Sequence, residues 1–197
     1  MTGDRVALVG CTEYDVERVE TAVRRAVDLL GGMGRFVKPD QRVVVKPNLL
    51  VPSDPARAIV THPAVVRAVV LLVQEAGGEA IIADNPGVVP VRSRGWQSAY
   101  ERAGWAAVAD ETGAALNTSI EAQQRSHPEA ELVKLVDTSS FVTEADVLIS
   151  VPKLKTHALM RYTGAVKNLF GTVPGATKFG YHAKLQSADR FADMLLD

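Results

Sequence analysis

Three observations in this sequence predict an open, mostly parallel α/β sheet with helices on both faces. Short Val/Ile-rich runs alternate with longer segments in which apolar residues recur at helical spacing. Glycine or proline punctuates nearly every change between them. Hydrophobic residues make up 47% of the chain but aromatics only 6%, as suits valine-rich strands and alanine-rich helices. Parallel strands require crossovers, so this alternation reads as a Rossmann-like arrangement. At 197 residues the chain is expected to form a single domain over 1–197, the N-terminal part of a larger architecture.

Residues 5–9 (RVALV) form a short apolar run ended by Gly10, which predicts a first strand. From Asp15, Val16, Val19, Val23, Val27 and Leu30 repeat as one helical face, and Gly31-Gly32 ends it. Residues 42–46 (RVVVK) predict a second strand stopped by Pro47. A second helix opens at Thr61-His62-Pro63, because proline suits the first helical turn. A third strand is expected over 80–83, followed by a turn cluster at 84–87 (DNPG). Residues 96–103 and 105–112 read as two helices parted by Gly104, and 132–136 and 147–151 as further strands. A last helix, capped by Ser187, leaves Phe191, Met194, Leu195 and Leu196 with little chain to cover them, which predicts an interface with a partner subunit or another copy.

Composition excludes several classes of function. The net charge is -1, so bulk attraction to nucleic acid or to a membrane surface is not expected. The single cysteine, Cys11, rules out an internal disulfide and an iron–sulfur cluster held within this chain. The N-terminus shows no basic segment followed by a long apolar one, and cytoplasmic is the expected location.

Charge is distributed unevenly. Residues 147–188 hold six Lys or Arg and two of the four histidines, with no Asp or Glu. Cations set among Gly, Pro and Thr directly after a strand suit a small anion such as phosphate or carboxylate. In open α/β sheets ligands bind beyond the carboxyl ends of the strands. Three predicted strands deliver polar groups there: Lys46 with Asn48, Asp84 with Asn85, and Lys153 with Lys155 and His157. Lys46, Asp84 and His157 are the candidate catalytic residues, and Lys153, Lys155, Lys167 and Asn168 the candidates for holding an anionic substrate or cofactor. His62 reads as a helix-entry residue, His127 as surface, and Cys11 as packing near the first turn. An imidazole such as His157 or His182 can act as a base or a metal ligand, and a lysine among cations, such as Lys167, gains nucleophilic character. The glycine spacings of a P-loop or a dinucleotide fingerprint are absent.

The strings Val-Val-Lys-Pro-Asn-Leu at 44–49, Thr-His-Pro at 61–63, Val-Pro-Lys-Leu-Lys-Thr-His at 151–157 and Thr-Gly-Ala-Val-Lys-Asn-Leu-Phe-Gly at 163–171 resemble the domain of unknown function 362 family. Many members of that family are described as iron–sulfur proteins through a ferredoxin-like tail, whose cysteines this chain lacks. The segment containing Asp146, His157, Tyr162-Thr-Gly164, Lys167, Pro174-Gly175 and His182 also resembles lactate racemases that use a nickel-pincer nucleotide. That resemblance implies a proton-transfer base at His157, covalent attachment of the pincer cofactor at Lys167 and a nickel ligand at His182. Asp84-Asn85-Pro86 stands where the racemase pattern has a second catalytic histidine. Two functions follow as expectations: an enzyme moving a proton or hydride on a small anionic substrate, or a redox-accessory module that holds an anionic cofactor or docks a ferredoxin-like partner.

Overall fold

The computed structural model describes residues 5–85 and 93–197. In chain order its elements are α1 (Val16–Leu29), β1 (Arg42–Pro47), α2 (Pro63–Glu75), β2 (Glu79–Ile82), α3 (Ser93–Arg102), α4 (Trp105–Thr112) and β3 (Ala115–Leu116). They continue as β4 (Ala122–Ser126), β5 (Leu135–Ser139), α5 (Ser140–Thr143), β6 (Val147–Val151), β7 (Lys155–His157), β8 (Arg161–Thr163), α6 (Ala165–Leu169), α7 (Gly175–Lys184) and α8 (Ala188–Leu196). Four strands form one parallel sheet in the order β3-β2-β1-β6, flanked by helices. The Rossmann-like α/β class is therefore present.

Alternation along β1 divides the core. Val43 and Val45 pack with Val66, Val70 and Val73 of α2, with Ile82, and with the aromatic side chains Trp96, Tyr100 and Trp105 of α3 and α4. Val44 faces the other way, onto Ala83 and Phe141. Lys46 shares its strand parity with Val44, and that parity turns a charged residue into the layer beneath α6. Gly77, at φ +85°, ends α2 in the left-handed conformation that glycine adopts without a Cβ clash. A second cluster of Phe170, Val173, Leu185 and Phe191 joins α6, α7 and α8 beyond the sheet edge.

Several expectations need correction. Residues 5–9 form no strand and pair with none among the described residues, and Val6 and Leu8 are 91% and 96% exposed. Alternating apolar residues make a strand only where a neighbour supplies hydrogen bonds, and this run has none among the described residues. The α1 that follows packs on α2 as an outer layer, through Val19 and Val23 against Ala64 and Ala68. The strand expected at 132–136 begins instead at Leu135 and pairs antiparallel with β4. Phe191 is fully buried and Met194 and Leu195 pack against its cluster, so of the four apolar residues expected to lie bare only Leu196 is strongly exposed. The first two residues of the 84–87 turn cluster are described, and Pro86 and Gly87 lie outside the described residues. Among the described residues, no helix is long and apolar enough to cross a membrane.

Candidate functional site

Strand order reverses at β1, which has β2 on one side and β6 on the other. Such a switch point opens a crevice beyond the strand ends. Here the crevice is crossed by ties between separated parts of the chain. Thr61 donates its hydroxyl to the Val151 carbonyl at 2.7 Å and accepts the Asn48 N–H at 2.9 Å, joining the ends of β6 and β1. The Trp105 indole N–H holds the Thr61 carbonyl at 3.1 Å. His62 caps α2 by accepting the Ala64 N–H on Nδ1. Thr-His-Pro is thus a structural clamp, and His62 is the helix-entry residue its sequence indicated.

Lys46 and Asp84 form a buried ion pair at 2.7 Å, with side chains 0% and 1% exposed. Lys46 Nζ also donates to the carbonyl of Pro47 and to Asn168 Oδ1, each at 3.3 Å, so its three N–H donors have three acceptors. Burial lowers its proton affinity and Asp84 opposes that shift. Asp84 accepts further bonds from the backbone N–H groups of Leu49 and Asn85, and its own backbone is held by the buried Tyr100 hydroxyl. Asn168 donates to the Lys46 carbonyl and to Ser150 Oγ and accepts from Asn48 Nδ2, crossing the switch point from above. A Cβ on Gly171 would collide with Asp84 Oδ1 and Lys46 Nζ, so glycine is required over the pair.

A cavity of about 170 Å³ lies against this framework. Lys155, His157, Lys167 and His182 line it with Asp84, Asn48 and Asn168. Seven of the eight sequence candidates therefore lie at or directly beneath one cleft, Lys46 being the one below. Lys153 is elsewhere: its ammonium bonds to the Tyr14 hydroxyl at 2.8 Å and lies 5.2 Å from the centre of that ring, outside the cavity lining.

Lys178 also lines the cavity, and sequence reasoning missed it. It is 9% exposed and donates to the Asn85 carbonyl at 2.8 Å. Its sequence signal was membership of the acid-free stretch 147–188, but it sits inside α7 rather than at a strand end.

The electrostatics are one-sided. Burial, then the neighbouring charges of Lys46 and Lys155, push Lys167 down to about 8. Lys178 is likewise pushed down to about 8, by burial first, with Asp84 opposing and Lys46 and Lys167 reinforcing. Lys155 is lowered chiefly by burial and donates to the Ile59 carbonyl at 2.5 Å. His157 and His182 are both lowered, by burial first and then by Lys167, and are neutral imidazoles near pH 7. His157 Nδ1 accepts N–H bonds from Leu159 and Met160 at 3.2 Å each, which places the ring proton on Nε2. The His182 ring stacks on Phe191 at 4.5 Å, and Lys167 Nζ lies 4.7 Å and 5.5 Å from the centres of the Phe170 and Phe191 rings. Asn48 Oδ1 is buried and has no hydrogen-bond partner among the described residues.

Lys167 and His182 share the cavity with His157, as the nickel-pincer resemblance implies. Among the described residues no group of three His, Cys, Asp or Glu is arranged around a common metal position. Such a cofactor would have to bring the remaining donors to a metal, with His182 as a single nitrogen donor and Lys167 as the amine lining the same cavity.

Fold and site together define an α/β protein with a cationic cleft at the switch point of a parallel sheet, built over a buried Lys–Asp pair. The chain belongs to the domain of unknown function 362 family, which it matches over residues 43–197. It is 37% identical over 195 residues to a thylakoid-associated protein of Synechocystis sp., an alignment covering 98% of this chain and 58% of that protein. The chain thus spans 58% of that relative's length. No solved structure matches it.

Proposed function

We propose that the chain binds a small molecule bearing carboxylate or phosphate groups in the switch-point cleft, and that this molecule is the substrate of a proton- or hydride-transfer step. One observation carries the reading. Lys155, Lys167 and Lys178 converge on a single cavity whose carboxylate, Asp84, is already held by Lys46. A bound anion offsets the burial, and the smaller repulsion from neighbouring cations, that lower these lysines, so part of its binding free energy comes from restored proton affinity. His157 joins them as an Nε2–H donor to the anion. With proton affinities near neutrality, Lys167 and Lys178 rather than His157 are the groups suited to move a proton.

The recessed cavity favours a small molecule over the alternative, a redox-accessory module docking an acidic ferredoxin-like protein, which calls for a flatter basic surface. A cytoplasmic location and assembly with a second copy or partner subunit belong to the same proposal. The relative's name speaks of thylakoid association, and fractionation of cells expressing the tagged chain tests the location.

The test of binding is thermal unfolding at low salt with phosphate, sulfate and mono-, di- and tricarboxylates. A ligand at one hundred times its Kd adds about 2.7 kcal/mol of stability, or roughly 5–11 °C in a domain of this size. The Lys155→Met/Lys167→Met variant is expected to lose that shift. No shift in the wild type with any anion, or an equal shift in the variant, refutes the reading.

A further inference from the structure

Two lysines in the cavity share the same lowered proton affinity but have different surroundings. Lys167 lies over two aromatic rings, which attract its ammonium and favour the charged form. Lys178 lies over no ring and pairs with no carboxylate within salt-bridge distance among the described residues. Its one bond is donated to the Asn85 carbonyl. As a neutral amine it keeps that bond through one N–H and retains a lone pair, and the residue lines the cavity. Neighbouring cations and burial are the two conditions under which a lysine becomes a nucleophile towards carbonyl carbon.

We infer that Lys178 is a carbonyl-reactive amine that forms an imine with a small aldehyde or ketone also carrying a carboxylate or phosphate. The inference rests on the anion-binding reading above, because Lys155, Lys167 and His157 would hold the anionic end of the same molecule. The step balances without a redox partner. The Nζ lone pair attacks the carbonyl carbon, and the carbonyl π electrons move to oxygen, which takes up a proton. The resulting carbinolamine then loses water, its nitrogen giving up a proton, to leave C=N. Lys46 is unsuited to this chemistry, since its three donors are engaged and it lies beneath the cavity floor. The proton affinity of Lys178, pushed down to about 8, agrees with the geometry.

The test incubates the protein with glyoxylate, or with glyceraldehyde 3-phosphate, in the presence of cyanoborohydride, which reduces an imine to a stable secondary amine. Intact-mass measurement and peptide mapping then locate the adduct. The expected result is one adduct per chain, on Lys178, forming faster as pH rises towards 8 and suppressed by excess inorganic phosphate. Which of the two compounds reacts separates a carboxylate from a phosphate anchor. Lys178→Arg keeps a cation but cannot form the imine; it is expected to lose the adduct, and a cooperative urea transition followed by circular dichroism shows that it folds. An adduct on Lys167, or adducts spread over exposed lysines such as Lys134 and Lys184, overturns the inference. If no adduct forms although anions still raise Tm, the inference fails and the anion-binding reading stands. If neither occurs, both fail.

Discussion

Replacing Lys46 by methionine tests what the buried ion pair is for. The substitution nearly conserves volume but leaves Asp84, 1% exposed, without its counter-ion. Removing one partner of a buried pair typically costs about 3–5 kcal/mol, because the remaining charge stays desolvated. For a domain of this size that corresponds to a fall in Tm of roughly 6–20 °C. The loss should fall in the upper half of that range, since Lys46 Nζ also serves the Pro47 carbonyl and Asn168 Oδ1. Urea unfolding followed by circular dichroism measures it, with Asp84→Asn and the double variant completing a cycle. The double variant should be more stable than the sum of the single losses predicts, by at least about 2 kcal/mol, because no uncompensated charge remains. A loss below about 1 kcal/mol for Lys46→Met, the range of a solvent-exposed pair, would refute the reasoning and return Lys46 to an ordinary strand-end lysine.

Gly171→Ala should destabilise by about 1–3 kcal/mol through overpacking and weaken anion binding, since the new Cβ strikes Lys46 and Asp84; calorimetric titration alongside urea unfolding checks both. Asn168→Leu strips partners from the Lys46 carbonyl, Ser150 Oγ and Asn48 Nδ2 and should cost at least about 2 kcal/mol, measured by the same unfolding assay. Lys167 and Lys178 titrate near 8 in the folded chain against 10.5 ordinarily, so between those values the unfolded chain binds more protons. Their contribution to stability therefore rises with pH across 8 to 10.5, while anion affinity falls as pH passes 8. Unfolding and titration series at constant ionic strength separate the two trends, and an affinity independent of pH from 7 to 9.5 would contradict them.

The sequence revealed those parts of the structure where burial imposes a simple pattern. Residues 42–46 and 147–151 were legible as strands because a parallel sheet covered on both faces demands unbroken apolar runs. Asp15 and Ser187 marked helix starts because their side chains accept N–H bonds from the first turn. The β4–β5 hairpin was not legible: the residues of β4 are all exposed, so no apolar alternation betrays the strand. Residues 5–9 misled for the converse reason, having a strand's composition but no pairing partner among the described residues. At the site, strand ends located Lys46, Asp84, Lys155 and His157, whereas the direction of a side chain decided Lys153 and Lys178. Lys153 follows β6 but turns to Tyr14, and Lys178 is brought in by the approach of α7 to Asn85, a tertiary contact that local sequence does not encode.

The most direct measurement of the central claim is a crystal of the chain soaked in selenate or tungstate, with anomalous scattering used to locate the anion. The account predicts a peak in the switch-point cavity, within hydrogen-bonding distance of at least two of Lys155, Lys167 and Lys178, that disappears in the Lys155→Met/Lys167→Met variant. Peaks confined to the outer surface, with the cavity empty at saturating anion and pH below 8, would contradict it.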